Sequence, residues 1–403
     1  MLPVAKRKRP GNRREYWAAY DRLRGKGECR LLREGKIGFA EGFSLFYISS
    51  LTSLFLTLPS AVIEDGKNMA WLLFLLTIIL VLLAFWVISE LMKRQPELTL
   101  VEVSEALLGT YAGTLVNAIF FLHFVLREAL LFREYAEAFL VAALPRTPIS
   151  IVISVLALAA FTSAYYGLEA IARAARAALP FVAVGLVILF IAILPYADLT
   201  YLYPFRLDKP LNLLQKSFFN YTATSELIAS AVIIHCFGNW HSYRRLGFLT
   251  LAASGLTILT TTVLILLVFG VQGATELIQP FFNLSQLITI GRFFQRLESV
   301  FLLTWAMVGF FKIALFLYIT TVIFARMCRI EDYRPLLWII TLLCLAVSII
   351  PPDLPTALQV DSIVFGQLGL LPTVLLPLLL LICCLVKQSM AGSKKAKNRP
   401  TAE

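Results

Sequence analysis

Charged side chains beside apolar segments are the first residues in this sequence that could do chemistry. Arg296 and Glu298 stand at the start of an apolar run that includes Trp305. A charge at the centre of a bilayer costs roughly 2.5–3.5 kcal/mol, so such residues need a partner or a wet cavity. We therefore predict that Arg296 and Glu298 belong to a gating or structural charge network.

A second group of charges lies in the apolar run at 112–143. At about 100° per residue, five of its polar side chains fall within an arc of roughly 120° on a helix, and Glu128 falls outside that arc. The two interpretations are a neutralised ladder that holds neighbouring helices, or counter-ions for a ligand. In the second, Arg127 or Arg133 meets a carboxylate and Glu134 or Glu137 meets an ammonium. The five side chains are His123, Arg127, Arg133, Glu134 and Glu137.

Arg133 and Glu137 are one helical turn apart and can also pair with each other. We therefore count Glu137 in the gating or structural network as well.

Hydroxyl side chains cluster in two other apolar runs, in one before Pro59 and in the other before Glu226. They could satisfy an unwound backbone and bind a polar ligand. They could equally be ordinary small residues at helix contacts. The clusters consist of Ser49, Ser50, Thr52 and Ser53 in the first run, and Tyr221, Thr222, Thr224 and Ser225 in the second.

Glu226 is the strongest single candidate for ligand binding. No basic residue is adjacent to it in sequence, so its partner must come from another helix. We expect Glu226 to face a cavity, where it contacts a ligand amine or stabilises a broken helix. Lys312 would reach Glu298 only across a long distance, so within the charge network we treat it as a candidate partner for another span.

The composition predicts an all-α polytopic membrane protein. Of the 403 residues, 59% are hydrophobic and 15% are charged, and the mean hydropathy is +0.79. Apolar runs repeatedly reach the roughly 18 residues that mark a membrane-spanning helix. We predict about ten spans, near 38–63, 70–92, 112–143, 148–166, 177–196, 214–236, 247–270, 297–325, 334–351 and 363–386.

The distribution of Lys and Arg predicts the orientation. These residues are concentrated in the connections on one side and in both terminal segments, so the positive-inside rule places both termini in the cytoplasm. We divide the chain into a basic arm (1–36), a transmembrane domain (37–386) and a basic tail (387–403). The arm could lie on anionic lipid as an amphipathic helix or be a disordered tail. This distribution explains the net charge of +11. We therefore expect membrane lipid as a partner and no nucleic acid.

The sequence has no nucleophile elbow, phosphate loop or zinc-ligand spacing. We therefore expect neither an enzyme nor a cofactor or metal site.

Ten spans divided by the Pro- and Tyr-rich connection at 197–213 fit the five-plus-five inverted repeat of many secondary transporters, in which helices 1 and 6 are broken.

Several segments together resemble the endospore germination permeases, the B subunits of germinant receptors within the amino acid-polyamine-organocation superfamily. The similarity covers most of 37–386, although hydroxyl residues stand where related transporters place glycines in the first helix. The matching segments are Leu58-Pro59, Trp71, Glu97-Leu98-Thr99-Leu100-Val101-Glu102, Arg133, Leu144-Pro145-Arg146-Thr147-Pro148, Gly167-Leu168-Glu169-Ala170-Ile171-Ala172-Arg173, Glu226, and Arg296-Leu297-Glu298 with Trp305.

The resemblance implies a subunit that recognises a small germinant, usually an amino acid, beside A and C receptor subunits in the inner spore membrane. An ion-coupled amino acid permease is the alternative. It needs a titratable group or a sodium site in the path, for which Glu226 and Glu134 are the candidates. A third interpretation is a membrane scaffold that assembles partner subunits.

Overall fold

Helices account for the regular structure of the protein wherever the chain is described. The computed structural model describes residues 35–96, 98–204, 210–221, 225–288 and 298–397. The basic arm at 1–34 therefore lies outside the described residues, as do Thr222, Thr224 and Arg296.

The first half of the chain contains five spans, the first of them divided into two helices. A short helix, α4, connects the second and third spans. The helices are α1 (Phe39–Phe55), α2 (Leu58–Gly66), α3 (Ala70–Arg94), α4 (Leu100–Leu108), α5 (Thr110–Ala142), α6 (Ile149–Tyr166) and α7 (Leu168–Ile193).

The second half repeats this order and also begins with a divided span. Two π-helical turns, at Ser362–Gln367 and Leu371–Leu375, join the last two helices. The helices are α8 (Pro210–Tyr221), α9 (Glu226–Val232), α10 (Trp240–Glu276), α11 (Pro280–Leu287), α12 (Glu298–Met327), α13 (Arg334–Ser348), α14 (Leu354–Asp361) and α15 (Leu376–Lys397).

The lengths and surfaces of these helices are those of an integral membrane protein. Seven helical segments in the described part of the chain are long and apolar enough to cross a bilayer, and the shorter α13 is also apolar. Large apolar side chains such as Phe181, Leu158 and Leu342 stand at the surface. Lipid accepts such side chains as readily as a protein core does, so these faces need no protein cover.

The break in the first span lies at Leu56 and Thr57, between α1 and α2. Pro59 causes it, because proline has no N–H and its ring clashes with the carbonyl four residues earlier, which is that of Phe55. The hydroxyl cluster at 49–53 precedes this break and lies in continuous helix. Our suggestion that these hydroxyls satisfy an unwound backbone is therefore wrong.

The second divided span also consists of two helices, because α8 ends at Tyr221 and α9 begins at Glu226. The prediction that helices 1 and 6 are broken is thus confirmed at both positions. The end of α9 is held by Arg326 of α12, whose guanidinium donates to the carbonyl of Val232.

Two predicted boundaries need correction. The span that we ended at 270 continues in helix to Glu276, although Gly270 adopts the left-handed φ of 66° and bends the chain there. The last span does not end at 386, because α15 runs on to Lys397 through much of the predicted tail.

The start of α14 is fixed by its N-cap. The Asp353 side chain accepts a hydrogen bond of 2.9 Å from the backbone N–H of Thr356. The side-chain and backbone hydrogen bonds from Thr356 hold the pKa of Asp353 below its usual value. This N-cap fixes where α14 begins, and Asp361 is the last residue of the same helix.

At the centre, α5 and α12 pack as an antiparallel pair. The rings of Phe124 and Phe316 meet edge to face at 5.4 Å. Eleven residues further along α5 and eleven residues back along α12, Tyr135 stacks on Trp305 at 5.1 Å. Gly309 lies against the Tyr135 ring so closely that a Cβ built on it would be 1.9 Å from a ring carbon.

We predict that Gly309→Ala destabilises the protein by about 1–3 kcal/mol, because the fully buried Tyr135 is held by Trp305 and cannot move aside. Thermal unfolding of the purified protein in detergent measures the loss. Gly366→Ala is the matched control, since the nearest atom to its new methyl group is Ser362 Oγ at 3.9 Å. Equal unfolding temperatures for the two variants would contradict the close α5–α12 contact.

Candidate functional site

A buried ion pair joins α9, in the second divided span, to α12. Lys312 of α12 contacts Glu226, the first residue of α9, with 2.8 Å between Nζ and Oε1. Their side chains are only 1% and 4% exposed. Ser49 of α1 donates a longer hydrogen bond of 3.4 Å to the same carboxylate oxygen. Residues from three spans thus meet at one carboxylate.

An aromatic ring packs on the lysine side of this pair. The Lys312 ammonium lies 5.2 Å from the centre of the Phe316 ring, where a cation–π contact adds to its stabilisation. Removing both charges from water is expensive, and their attraction compensates only when the geometry is good. The pair therefore fixes α9 against α12 and leaves each residue dependent on the other.

A second charged contact lies between α5 and α14. Arg127 forms an ion pair with Asp361, and its guanidinium lies 4.6 Å from the centre of the Phe365 ring. His123, one turn earlier in α5, contacts the same ring and forms a 2.9 Å hydrogen bond with Ser225. His123 and Ser225 therefore link this contact to the start of α9.

Two further glutamates of α5 are buried in this region. Glu134 interacts electrostatically with Arg127, Lys312 and Asp361. Glu128 is completely buried, and neither of its carboxyl oxygens has a hydrogen-bond partner among the described residues. We call Glu226, Lys312, Arg127, Asp361, Glu134 and Glu128 the central charge cluster.

Arg133 belongs to a separate contact, further along α5. It forms the predicted pair with Glu137 at 2.6 Å and donates to the carbonyl of Pro352 at 2.9 Å. Pro352 lies in the connection between α13 and α14, so this pair ties that connection to α5. Arg133 therefore stabilises the packing of the α13–α14 connection on α5, whereas Arg127 belongs to the central charge cluster.

Several predicted hydroxyl residues lie close to the central cluster. Besides Ser49 and Ser225, which have the contacts above, Ser50 and Thr52 are buried on α1, and their hydroxyl groups have no hydrogen-bond partner in the part of the chain that is described. Ser53 is half-buried. The Tyr135 hydroxyl is also buried, and it interacts with the Thr52 hydroxyl without a hydrogen bond of good geometry within the same ranges. Hydroxyls of this kind are acceptors and donors ready for a polar ligand or water.

Aromatic side chains close the space on both sides of the cluster along α1. Towards the end of α1, Phe55 meets Phe281 of α11 and Phe301 of α12, each at 5.4 Å. Towards its beginning, Phe46 meets Phe237 at 6.0 Å. We call these the α11-side and α1-start closures.

The other predicted charges are distributed along α12. Lys312, which we expected to partner another span, pairs with Glu226 and lies about 20 Å along α12 from Glu298 at 1.5 Å per residue. Glu298 begins α12, and Trp305 packs on Tyr135. Sequence analysis missed Asp361 and Phe365. An acid just before the apolar run at 363–386 was the signal, and we had assigned it to a loop.

No group of three or more His, Cys, Asp or Glu side chains with the geometry of a metal site occurs in the described ranges. The cluster can supply carboxylates for an ammonium, cations for a carboxylate, and groups that hold protons.

Comparison with solved structures supports the fold assignment. The chain aligns with a Na⁺-coupled sialic acid symporter in a substrate-bound, outward-open state, with a TM-score of 0.59 and 15% identity, over 89% of this chain and 83% of the symporter. It aligns with a mutant of the Eremococcus coleocola manganese transporter with a TM-score of 0.55 and 15% identity, over 90% and 89% of the two chains. The fold is that of the five-plus-five transporters, as predicted.

Sequence comparison identifies relatives in Bacillus subtilis (strain 168). Spore germination protein KB is 26% identical over 297 residues, which are 72% of this chain and 78% of the relative. The putative spore germination protein YfkT is 26% identical over 265 residues, which are 65% and 72% of the two chains. The family described as spore germination protein matches residues 36–356, well over half of the sequence. The chain therefore belongs to the spore germination protein family of membrane permeases, as its motifs predicted.

Proposed function

We propose that this protein is the membrane subunit of a spore germinant receptor, and that it binds a small nutrient, an amino acid, at the central charge cluster. The observation that carries the proposal is the Glu226 carboxylate, which starts α9 and meets Ser49 of α1 and Lys312 of α12. A ligand that competes for this carboxylate acts on both divided spans at once.

The chemistry of the cluster suits an amino acid. Glu226 and Glu134 offer carboxylates to a ligand ammonium, while Lys312 and Arg127 offer cations to a ligand carboxylate. The buried hydroxyls of Ser50, Thr52 and Tyr135 add neutral donors and acceptors nearby. Buried sites of this type discriminate strongly, because a ligand lacking one group leaves a buried partner unsatisfied.

Binding would be transmitted through the contacts that hold the cluster closed. A ligand carboxylate that takes Arg127 from Asp361 loosens α14 from α5, and an ammonium at Glu226 loosens α9 from α12. The ligand shifts the equilibrium only by the difference in its affinity for the two conformers. In this proposal the A and C receptor subunits detect that shift in the inner spore membrane.

An ion-coupled amino acid permease is the alternative function. It is favoured by the same fold in the Na⁺-coupled sialic acid symporter and by titratable carboxyl groups inside the bundle. The two functions share a binding site and differ in whether the ligand crosses the membrane.

The test is binding and uptake of labelled amino acids by the purified protein in liposomes. Saturable binding without uptake supports the receptor subunit. Uptake driven by a proton or sodium gradient supports the permease. If neither occurs and substitutions in the cluster change only assembly with partner subunits, the protein is a scaffold and the ligand-binding proposal fails.

We predict that Glu226→Gln abolishes amino acid binding and lowers the free energy of unfolding by about 3–5 kcal/mol, because it leaves the Lys312 ammonium buried without its carboxylate. The double variant Glu226→Gln, Lys312→Met removes both charges. It should recover most of the stability while still failing to bind. Thermal unfolding and equilibrium binding in detergent measure the two effects.

The control for the Glu226 and Lys312 variants is Glu137→Gln, which alters the Arg133 contact outside the central charge cluster. We expect it to keep amino acid binding. Binding that is retained by the Glu226, Lys312 double variant would show that the pair is purely structural.

We also propose that both termini lie in the cytoplasm, as the distribution of Lys and Arg predicts. Epitope tags placed before residue 1 and after residue 403 should both be protected from external protease in intact cells and be cut after permeabilisation. Cleavage of either tag in intact cells would rule out this orientation.

A further inference from the structure

Glu128 is the buried ionisable group that the proposed function leaves unused. It lies in the middle of α5, it is completely buried, and both of its carboxyl oxygens lack a hydrogen-bond partner among the residues that the structure describes. A carboxylate in such a place would forgo water without compensation, which is among the most expensive arrangements in a protein interior. A neutral carboxylic acid costs far less.

The packing of α5 on α12 places Lys312 opposite Glu128. Phe124 contacts Phe316 edge to face at 5.4 Å. Glu128 follows Phe124 by four residues in α5, and Lys312 precedes Phe316 by four residues in α12. Because the two helices run antiparallel and residues one turn apart share a face, Glu128 and Lys312 lie at the same level of this interface.

The electrostatic interactions agree with this register. Glu128 interacts with Lys312 on α12, and Cys344 on α13 interacts with Glu128. Lys312 is thus one ammonium with three carboxyl groups in range, those of Glu226, Glu134 and Glu128, and in this structure it bonds to Glu226 at 2.8 Å. Glu128 accepts no hydrogen bond from any described residue.

We propose that Glu128 is a proton-binding site that exchanges its proton for the ligand ammonium. This inference rests on the proposed function, in which the ammonium of an amino acid binds Glu226. In the resting state Lys312 neutralises Glu226 and Glu128 carries a proton. When a ligand ammonium takes over Glu226, Lys312 turns to Glu128, which releases its proton to water and becomes a carboxylate.

The exchange leaves the summed charge of Glu226, Lys312, Glu128 and the ligand ammonium unchanged. One positive charge enters with the ligand amine and one leaves as the proton, while Lys312 stays an ammonium throughout. The O–H bond of Glu128 is the only covalent bond that breaks. The carboxylate that forms at Glu128 is paired with Lys312 and no net charge is added, so the desolvation cost of ligand entry is limited.

Infrared spectroscopy of the ligand-free protein tests the resting state. The spectrum should contain the C=O stretching band of a protonated carboxylic acid, shifted in D₂O, and Glu128→Gln should remove one component of that band. Glu128→Asp keeps an acid at the site and should move the component rather than abolish it. Glu137→Gln is the control, because the Glu137 carboxylate is paired with Arg133 and should not contribute.

The fold of the variants provides a check in the same samples. Glutamine has the shape of the neutral acid, so Glu128→Gln should unfold at the wild-type temperature. An unchanged acid band in Glu128→Gln, or no acid band in the wild type, would overturn the proposal.

Proton release tests the exchange. An equimolar mixture of neutral amino acids, adjusted to the sample pH, is added to weakly buffered protein with a pH-indicating dye. The wild type and Glu137→Gln should release about one proton per bound ligand, whereas Glu128→Gln should bind more weakly and release none, because Lys312 then has no second carboxylate to pair with. Binding with undiminished release in Glu128→Gln would refute the exchange. If the wild type binds no amino acid, the proposed function and the exchange both fail, while the infrared result still decides the protonation of Glu128.

Discussion

The contact between Glu226 and Lys312 is the constraint on which the rest of the structure depends. Two charges buried in the middle of a membrane protein are tolerable only while they neutralise each other, so α9 and α12 must stay in register. The aromatic closures on both sides keep water away and make the attraction stronger. A polar ligand is the natural competitor for such a pair, because it offers the same charges in another arrangement.

Helix α5 makes polar or aromatic contacts with most of the elements around the charged interior. Along its length it meets α9 through His123, α14 through Arg127, α12 through Tyr135, and the α13–α14 connection through Arg133. These contacts differ in kind. The Arg133 and Tyr135 contacts hold the scaffold, whereas the Arg127 contact is an ion pair whose partner lies on a short helix followed by irregular turns.

The fold was predictable from hydropathy and proline chemistry, whereas the pairing of the buried charges was not. Pro59 announces the first break, and Gly270 marks a bend at the predicted span end. The partner of Glu226 depends on which faces of distant helices meet, and no local pattern contains that information. Asp361 was missed because hydropathy alone starts the apolar run after it. Glu128 was set aside for lying off the polar arc, yet several helices surround α5 and bury that side too.

The two π-helical turns between α14 and α15 have a consequence for motion. A π turn holds one residue more than an α turn, and that surplus can shift along the helix without breaking the chain of backbone hydrogen bonds at both ends. The segment from Ser362 to Leu375 can therefore work as a swivel. A rotation there would move Asp361 and Phe365 together, because Asp361 directly precedes this segment and Phe365 lies within it.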